Sequence, residues 1–542
     1  MRVADVIGRT LVALGVTQMF GVVGSGNFHT TNAMISAGAR FVATRHEAGA
    51  GIMADAYGRV TGEVPAVSLH QGCGLTNAMT ALTEAAKSGT PLVAFAGDTP
   101  PSARHTSNFW IDQTGALEAL GVPVARIHSA ATAVEDTAAA VRLAVVERTA
   151  VVLNMPLDVQ EEDVDVDRAL ARPIALPTPP APAADGLAEL ARLLSEAERP
   201  VIVAGRGARG AREQIERLAE VSGALVATSA VARGLFAGND WSLDVMGGFS
   251  SPTVADLVLD ADLVVGFGLA FNRWTSRNGE FTDGTRLVHV DIDPAAIGKH
   301  RPVALGIVSD AGLAAAAAAE LVAPRTGYRT PEVRRLLDSG AFWPDVEYED
   351  TSTDERIDPR TLTLALERMI PRERVVVTDA GNATGYPANF LSVPDEKGFI
   401  LPLAFQSVGL GLGSAVGAAI ARPDRRVVAG IGDGGFMMSL VELDTAVRER
   451  VNPVIVVYND SAYGAEVHHF DGDDMQTVRF PDTDLAAIAR GFGCEGFTVR
   501  TRADLDALAE LVPTVTDRPI VVDAKITEFR SWVEEHVFQG DK

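Results

Sequence analysis

Short aliphatic runs alternate along this chain with longer Ala-rich stretches of helical character. That alternation limits the possible folds more than any other feature. The runs at 67–69, 92–95, 201–203, 263–265, 287–290, 375–377 and 454–458 are nearly continuous Val, Ile and Leu. A strand that is apolar on both faces must be covered on both faces, which implies parallel sheets flanked by helices. Two breaks divide the series. Residues 166–186 are too rich in proline for a regular element and read as an extended linker. Residues 324–358 mix Pro, Gly and many acids and mark a second connection. The expected fold class is α/β, with three domains on parallel sheets at 1–165, 187–325 and 355–542. The length of 542 residues suits that number. The first and third segments share a coarse β/α rhythm.

Composition excludes several classes. A net charge of −24 argues against nucleic acid, whose phosphates need a cationic surface. No window approaches the ~20 uninterrupted apolar residues of a membrane span. The N-terminal stretch superficially resembles a signal, but Asp5 and Arg9 interrupt it and its apolar residues recur at helical spacing, so it reads as an amphipathic first helix. Cys73 and Cys494 are the only cysteines, which excludes a disulfide framework and favours a reducing cytoplasm.

One strand–helix–strand unit carries recognisable chemistry. An apolar run at 425–431 leads into Gly432-Asp433-Gly434-Gly435-Phe436, then a helical stretch, then the run at 454–458 and Asn459-Asp460. Glycines there let backbone N–H groups close on a diphosphate, and the following helix points its positive end at the same anion. Asp433 and Asp460 sit at neighbouring strand ends and can share one Mg²⁺, a cation that prefers oxygen ligands and phosphates. The bland alternatives are a chance turn feeding a helix and, for Asp460, a turn former after a strand. A second segment, FVATRHEAGAGIMADAYGR at 41–59, ends a β-rich run at Arg45 and opens an Ala- and Gly-crowded helix at Glu47. A carboxylate at a helix start is also a routine dipole feature.

With these two segments the chain resembles, over nearly its whole length, the thiamin diphosphate-dependent 2-oxo acid enzymes. Acetolactate synthase, pyruvate oxidase, pyruvate decarboxylase and benzoylformate decarboxylase belong to that family. The two motifs specify the cofactor, not the reaction. The resemblance implies a pyrimidine-binding first domain, a Rossmann-like central domain and a third domain that binds diphosphate and Mg²⁺. It implies that Glu47 bonds a ring nitrogen of the aminopyrimidine and promotes ionisation at the thiazolium C2. The stretch FQSVGLGLGSAVGAAIA at 405–421 matches the family's wedge segment. There Val408 would bend the cofactor, while the Gln406 carbonyl and the Val408 N–H grip the pyrimidine edge. Asp433, Asp460 and the carbonyl of Ala462 would hold the metal. Gly381, Asn382, Gly432, Gly434, Gly435 and Tyr463 would complete the cofactor contacts. In the family the site joins first and last domains of different subunits, which implies an obligate homodimer, often a homotetramer. The small-residue helix after Glu47 fits close packing at such an interface, and equally packing within one subunit.

The substrate side is more ambiguous. The loop Gly24-Ser25-Gly26-Asn27-Phe28-His29 follows a strand at 20–23 and is expected to face the thiazolium, with Gly26 and Asn27 toward substrate and His29 a candidate proton donor. His70, in LHQGCGLTNAMTAL, resembles the active-site histidine segment of benzoylformate decarboxylase, and His70 and Gln71 lie at a strand end, where ligands approach such sheets. Histidine suits proton transfer near neutral pH, though a lone histidine serves structure as often. Glu466 matches a glutamate that pyruvate decarboxylases use as an acid, and Ala465 a substrate-shaping position. Alternatively Glu466, His468 and His469 form a solvated helix face. Adjacent His468 and His469 cannot share one face, so they are not a metal pair.

Two departures weaken a plain acetolactate synthase reading. Phe109 stands where that enzyme has a Gln, and the flavin-contacting segment is degraded to Gly268-Leu269-Ala270-Phe271-Asn272-Arg273, so tight FAD binding is not expected. The reading is thiamin diphosphate- and Mg²⁺-dependent decarboxylation of a 2-oxo acid, with carboligation of the resulting enamine to a second carbonyl acceptor. The alternatives are a non-oxidative 2-oxo acid decarboxylase and a catalytically silent cofactor-binding subunit. A nicotinamide dehydrogenase reading rests on Gly205-x-Gly207-x-x-Gly210 alone, a weak match.

Overall fold

The computed structural model describes residues 1–164 and 175–537. It contains three six-stranded sheets, and every strand pairing within them is parallel. The first sheet comprises β1 (Gln18–Gly21), β2 (Arg40–Ala43), β3 (Ala66–Leu69), β4 (Leu92–Asp98), β5 (Val124–Arg126) and β6 (Ala150–Pro156). The second comprises β7 (Pro200–Ala204), β8 (Leu225–Thr228), β9 (Ser242–Val245), β10 (Leu263–Phe267), β11 (Arg286–Asp291) and β12 (Leu305–Val308). The third comprises β13 (Arg374–Thr378), β14 (Phe399–Ile400), β15 (Arg426–Gly432), β16 (Val454–Asn459), β17 (Glu495–Val499) and β18 (Ile520–Lys525). All seven aliphatic runs fall inside strands. The strands β4, β6, β13, β16 and β18 are buried at every residue, the reason their sequences do not alternate with polar positions.

The shared rhythm of the first and third segments becomes a shared topology. Their spatial orders are β2-β1-β3-β4-β6-β5 and β14-β13-β15-β16-β18-β17, the same permutation. In each, the chain runs to one edge and then reverses. The reversal leaves a crevice at the carboxyl ends of β1 and β3, and of β13 and β15, where such sheets bind ligands.

Several boundaries differ from expectation. Of the expected linker, residues 166–174 lie outside the described residues, and helix Ala184–Glu196 starts before the linker was expected to end. The acidic connection at 324–358 contains helix Pro331–Asp338, whose Val333 and Leu337 pack into the central domain's core. The first strand ends at Gly21, and helix Phe28–Ser36 takes up Phe28 and His29. The small-residue helix Glu47–Thr61 packs within its own chain against Gly411–Ala421. A Cβ on Gly417 would lie 2.4 Å from the Met53 carbonyl oxygen, and one on Gly413 3.1 Å from Ile52. The Ala/Gly composition after Glu47 is thus explained inside one subunit. Among the described residues no helix is long and apolar enough to cross a membrane.

Candidate functional site

The loops after β13, β15 and β16 enclose a cleft of about 250 Å³. Gly381, Gly432 to Gly435, Asp460, Ala462, Tyr463, Ala465, Glu466 and Val408 all line it. The sequence-predicted residues of the third domain, with the exception of Gln406, are therefore brought together. The glycines serve distinct purposes. Gly381 has φ +97, a left-handed conformation that side chains resist. Gly434 lies under the Tyr463 ring, where a Cβ would sit 2.6 Å from Cε1. Gly435 leaves room for Asp379, whose Oδ2 would be 2.3 Å from a Cβ there. Gly464, which no sequence signal marked, makes room for Asp460: a Cβ would fall 2.6 Å from its Oδ2.

Asp433 and Asp460 are partly buried and line the same cleft, and the Asp460 carboxylate accepts the Ala462 N–H at 3.1 Å. Burial raises both pKa values, and the Asp433 charge raises Asp460 further, while Lys525 opposes the shift at Asp433. Two carboxylates held this close lack a positive charge between them. A cation that takes oxygen ligands fits that deficit, with the nearby Ala462 carbonyl as a third donor. Among the described residues no group of three or more His, Cys, Asp or Glu could hold a metal. The donor set and the glycine-lined cleft beside it fit Mg²⁺ with a diphosphate.

The wedge segment is held by a residue the sequence reading did not assign. Asp379 is buried, and its carboxylate accepts the N–H groups of Gly409 (3.1 Å to each oxygen), Leu410 (3.2 Å) and Ala380 (2.8 Å). Burial pushes it up to about 6 against those bonds. Val408 remains 39% exposed, and Gln406 takes a positive φ of +59. Asn382 lines the cleft too, and its side-chain amide is held by Tyr386 (3.0 Å), the Phe529 carbonyl (2.8 Å) and the Ser531 N–H (2.9 Å). That amide latches the start of the C-terminal arm; residues 538–542 of that arm lie outside the described residues. In helix Gly464–His469, Glu466 pairs with His469 at 3.7 Å, while His468 lies beside Glu528 and Arg530.

No residue of the first domain lines this cleft. Glu47 opens its helix and accepts a 3.0 Å hydrogen bond from Asn77, another residue without a sequence signal. Around the β1/β3 crevice, His70 bonds the Gln71 carbonyl (2.9 Å) and Ser25 (3.3 Å), and its ring meets Phe109 edge-on at 4.8 Å. Three expectations need correction. Asn27 is fully buried, and its amide closes the turn by accepting from Gly24 N–H and donating to the Val22 carbonyl and Ser68, so it is not presented to a ligand. Gly26 and Gln71 are buried against each other: a Cβ on Gly26 would fall 1.8 Å from Gln71 Oε1. His29 sits in a helical first turn and contacts Arg2 at 3.1 Å, apart from the His70 cluster.

In the central domain, segment 268–273 borders a separate cavity of about 560 Å³, into which Arg59, Arg206 and Arg273 also reach. Gly205 and Gly207 allow two strand-end turns to touch, since a Cβ on Gly205 would sit 2.2 Å from the Gly268 carbonyl. The Gly-x-Gly pattern is explained by that contact.

Comparison with known proteins agrees with the three sheets. Residues 1–150 match the thiamine pyrophosphate enzyme N-terminal TPP binding domain, 187–318 its central domain and 379–524 its C-terminal TPP binding domain. A Rhizobium meliloti protein named "Probable sulfoacetaldehyde acetyltransferase" is 29% identical, over 94% of this chain and 92% of the relative. The acetolactate synthase of Mycobacterium leprae is 27% identical, over 96% and 86%. Acetolactate synthase 2, chloroplastic, of Zea mays is 27% identical, over 93% and 82%.

Proposed function

Since this chain belongs to the thiamin diphosphate-dependent 2-oxo acid enzyme family, we propose that it removes CO₂ from a 2-oxo acid and transfers the remaining acyl unit to a second carbonyl compound. The observation that carries the reading is the cleft itself: two partly buried carboxylates beside a glycine-lined turn, in a chain whose acetolactate synthase relatives align along nearly its full length. Bound thiamin diphosphate would supply an ionisable C2–H, whose carbon becomes a nucleophile, and a cationic thiazolium ring to take up the electron pair that CO₂ leaves behind. Asp433, Asp460 and the Ala462 carbonyl hold Mg²⁺, and the backbone of 432–435 holds the diphosphate. Gln406 and Val408 would hold the pyrimidine portion. Glu47 keeps a proton at the pyrimidine ring nitrogen, with Asn77 orienting its carboxylate. His70 and Glu466 move protons to and from substrate, and Phe109 and Ala465 shape the space around it.

Glu47 belongs to the first domain, which contributes nothing to the cleft lining, so the working unit is a homodimer that brings Glu47 of one copy to the cleft of the other, or a tetramer of two such pairs. Two free cysteines suit a cytoplasmic enzyme. The reaction needs no flavin, and the altered 268–273 segment is why FAD is left out of it.

Two observations favour a second reading, simple decarboxylation: His70 is poised beside Ser25, and Glu466 lines the cleft. NMR product analysis with ¹³C-pyruvate, thiamin diphosphate and Mg²⁺ separates the two. Acetolactate or acetoin, reduced about 100-fold or more in Glu47→Gln, is the expected result. Acetaldehyde alone would favour the decarboxylase. No turnover of pyruvate, nor of larger or aromatic 2-oxo acids, would contradict both.

A further inference from the structure

The first and third domains share a strand order, and they also hold each other in the same manner. Edge strand β2 leads through residues 44–46 into helix Glu47–Thr61, and edge strand β14 leads through residues 401–410 into helix Gly411–Ala421. Those two helices pack on one another. The third strand of each sheet in spatial order, β3 or β15, leads into helical segments that carry a buried glutamate. These are Glu84 in Cys73–Ser88 and Glu442 at the head of Glu442–Arg448, 0% and 2% exposed. Each glutamate reaches across the domain boundary to backbone amides just past the other domain's edge strand. Glu84 accepts from Ala404 N–H at 3.1 Å and Phe405 N–H at 2.7 Å. Glu442 accepts from His46 N–H at 3.0 Å and Arg45 N–H at 3.3 Å.

We propose that Glu84 and Glu442 are a reciprocal pair of positioning residues, each fixing from one domain the segment with which the other domain handles the cofactor. The proposal rests on the functional reading above, which gives Glu47 and residues 406–408 those tasks. Residues 404–408 cannot hold themselves: Phe405 is 40% exposed and Gln406 has φ +59. Asp379 secures the far end of this segment through Gly409 and Leu410, and Glu84 secures the near end. Arg59 steers Glu84. Its guanidinium lies 2.7 Å from both Glu84 and Asp55 and donates to the Leu401 carbonyl at 2.9 Å. On the other side, Glu442 is oriented by Thr445 at 2.6 Å and neighbours Asp444, which pairs with Arg45. It thereby fixes the two residues that precede Glu47. A charged acceptor on a backbone amide is stronger than a neutral one, and losing it leaves a part-buried N–H without its partner.

The test uses the full chain and three variants. Glu84→Gln and Glu442→Gln preserve volume but replace one acceptor oxygen with a donor. Glu367→Gln breaks a 2.6 Å ion pair with buried Arg374, remote from both segments, and reports loss of stability alone. Backbone amide exchange is followed without cofactor, then affinity for thiamin diphosphate with Mg²⁺, then proton exchange at C2 of the bound cofactor. Glu84→Gln is expected to speed exchange at 404–405 and weaken affinity about tenfold or more. Glu442→Gln is expected to speed exchange at 45–46 and slow C2 exchange about tenfold, with affinity changed less than about threefold. Glu367→Gln should lower Tm and change neither. Wild-type amide protection in either Glu84→Gln or Glu442→Gln, or effects in all three that merely follow Tm, would overturn the proposal. Failure of the wild-type chain to bind thiamin diphosphate would instead overturn the functional reading, and it would show before any variant was made.

Discussion

At the scale of single residues, the account depends most on Asp433 and Asp460. Both titrate above the ordinary carboxylate range because they are partly buried together, so at mildly acidic pH the pair holds a proton where a cation would sit. The sign follows. A folded pKa above the unfolded one stabilises the metal-free chain at low pH, and that contribution is lost as pH rises through the folded value. Mg²⁺ needs both carboxylates ionised and relieves the cost. Its affinity, and the Tm gain it gives, should therefore rise from about pH 5.5 to about pH 8, with proton release on binding at the acid end. Calorimetry in buffers of different ionisation enthalpy checks this; an affinity flat across that range would contradict it. That these two residues share one cleft was legible in the sequence, because each follows an aliphatic strand in a recognisable frame. Asn27 was misread in part because its partner Ser68 lies 41 residues away. Glu84, Glu442 and Asn77 left no trace, since a polar residue in a helix looks like a solvated face until its partner on another element is in view.

At the scale of elements, the contact of helices Glu47–Thr61 and Gly411–Ala421 joins the first domain to the third. Gly417→Ala sets two effects against each other. Alanine favours a helix over glycine by about 1 kcal/mol. Its Cβ would meet the Met53 carbonyl oxygen at 2.4 Å and Met53 Cα at 2.7 Å, backbone atoms that cannot rotate away. Overpacking costs about 1–3 kcal/mol, and the upper half of that range is appropriate against backbone. A net loss of about 1–2 kcal/mol is predicted, read as a lower urea midpoint. Gly491→Ala, with nothing within 4 Å of its new Cβ, should be neutral or stabilising. An unchanged midpoint for Gly417→Ala would show that the helices have room to part. Strands were the most legible elements, because continuous burial writes itself into continuous Val and Ile. The Ala- and Gly-rich helices announced close packing without saying with what, and only the tertiary contact of Gly417 with Met53 separates packing within a subunit from packing between subunits.

At the scale of the whole molecule, the same strand order appears in two domains that divide one task. The third domain supplies a cleft with two acids and a glycine turn, and the first supplies Glu47 and the His70 cluster on surfaces of its own. In the proposed function thiamin diphosphate is held by one copy's cleft and worked on by the other copy's Glu47. Proton exchange at C2 of bound thiamin diphosphate tests it without knowledge of the substrate. Glu47→Gln and Asp433→Ala chains would be made separately and then co-expressed. Each alone should be silent, one for want of the acid and the other for want of the metal. In a mixed dimer one site carries both lesions and the other carries none. Random pairing should therefore restore about a quarter of wild-type exchange. Co-expressed variants that stay as silent as either alone would contradict the account, because Glu47 would then act within its own chain or not at all.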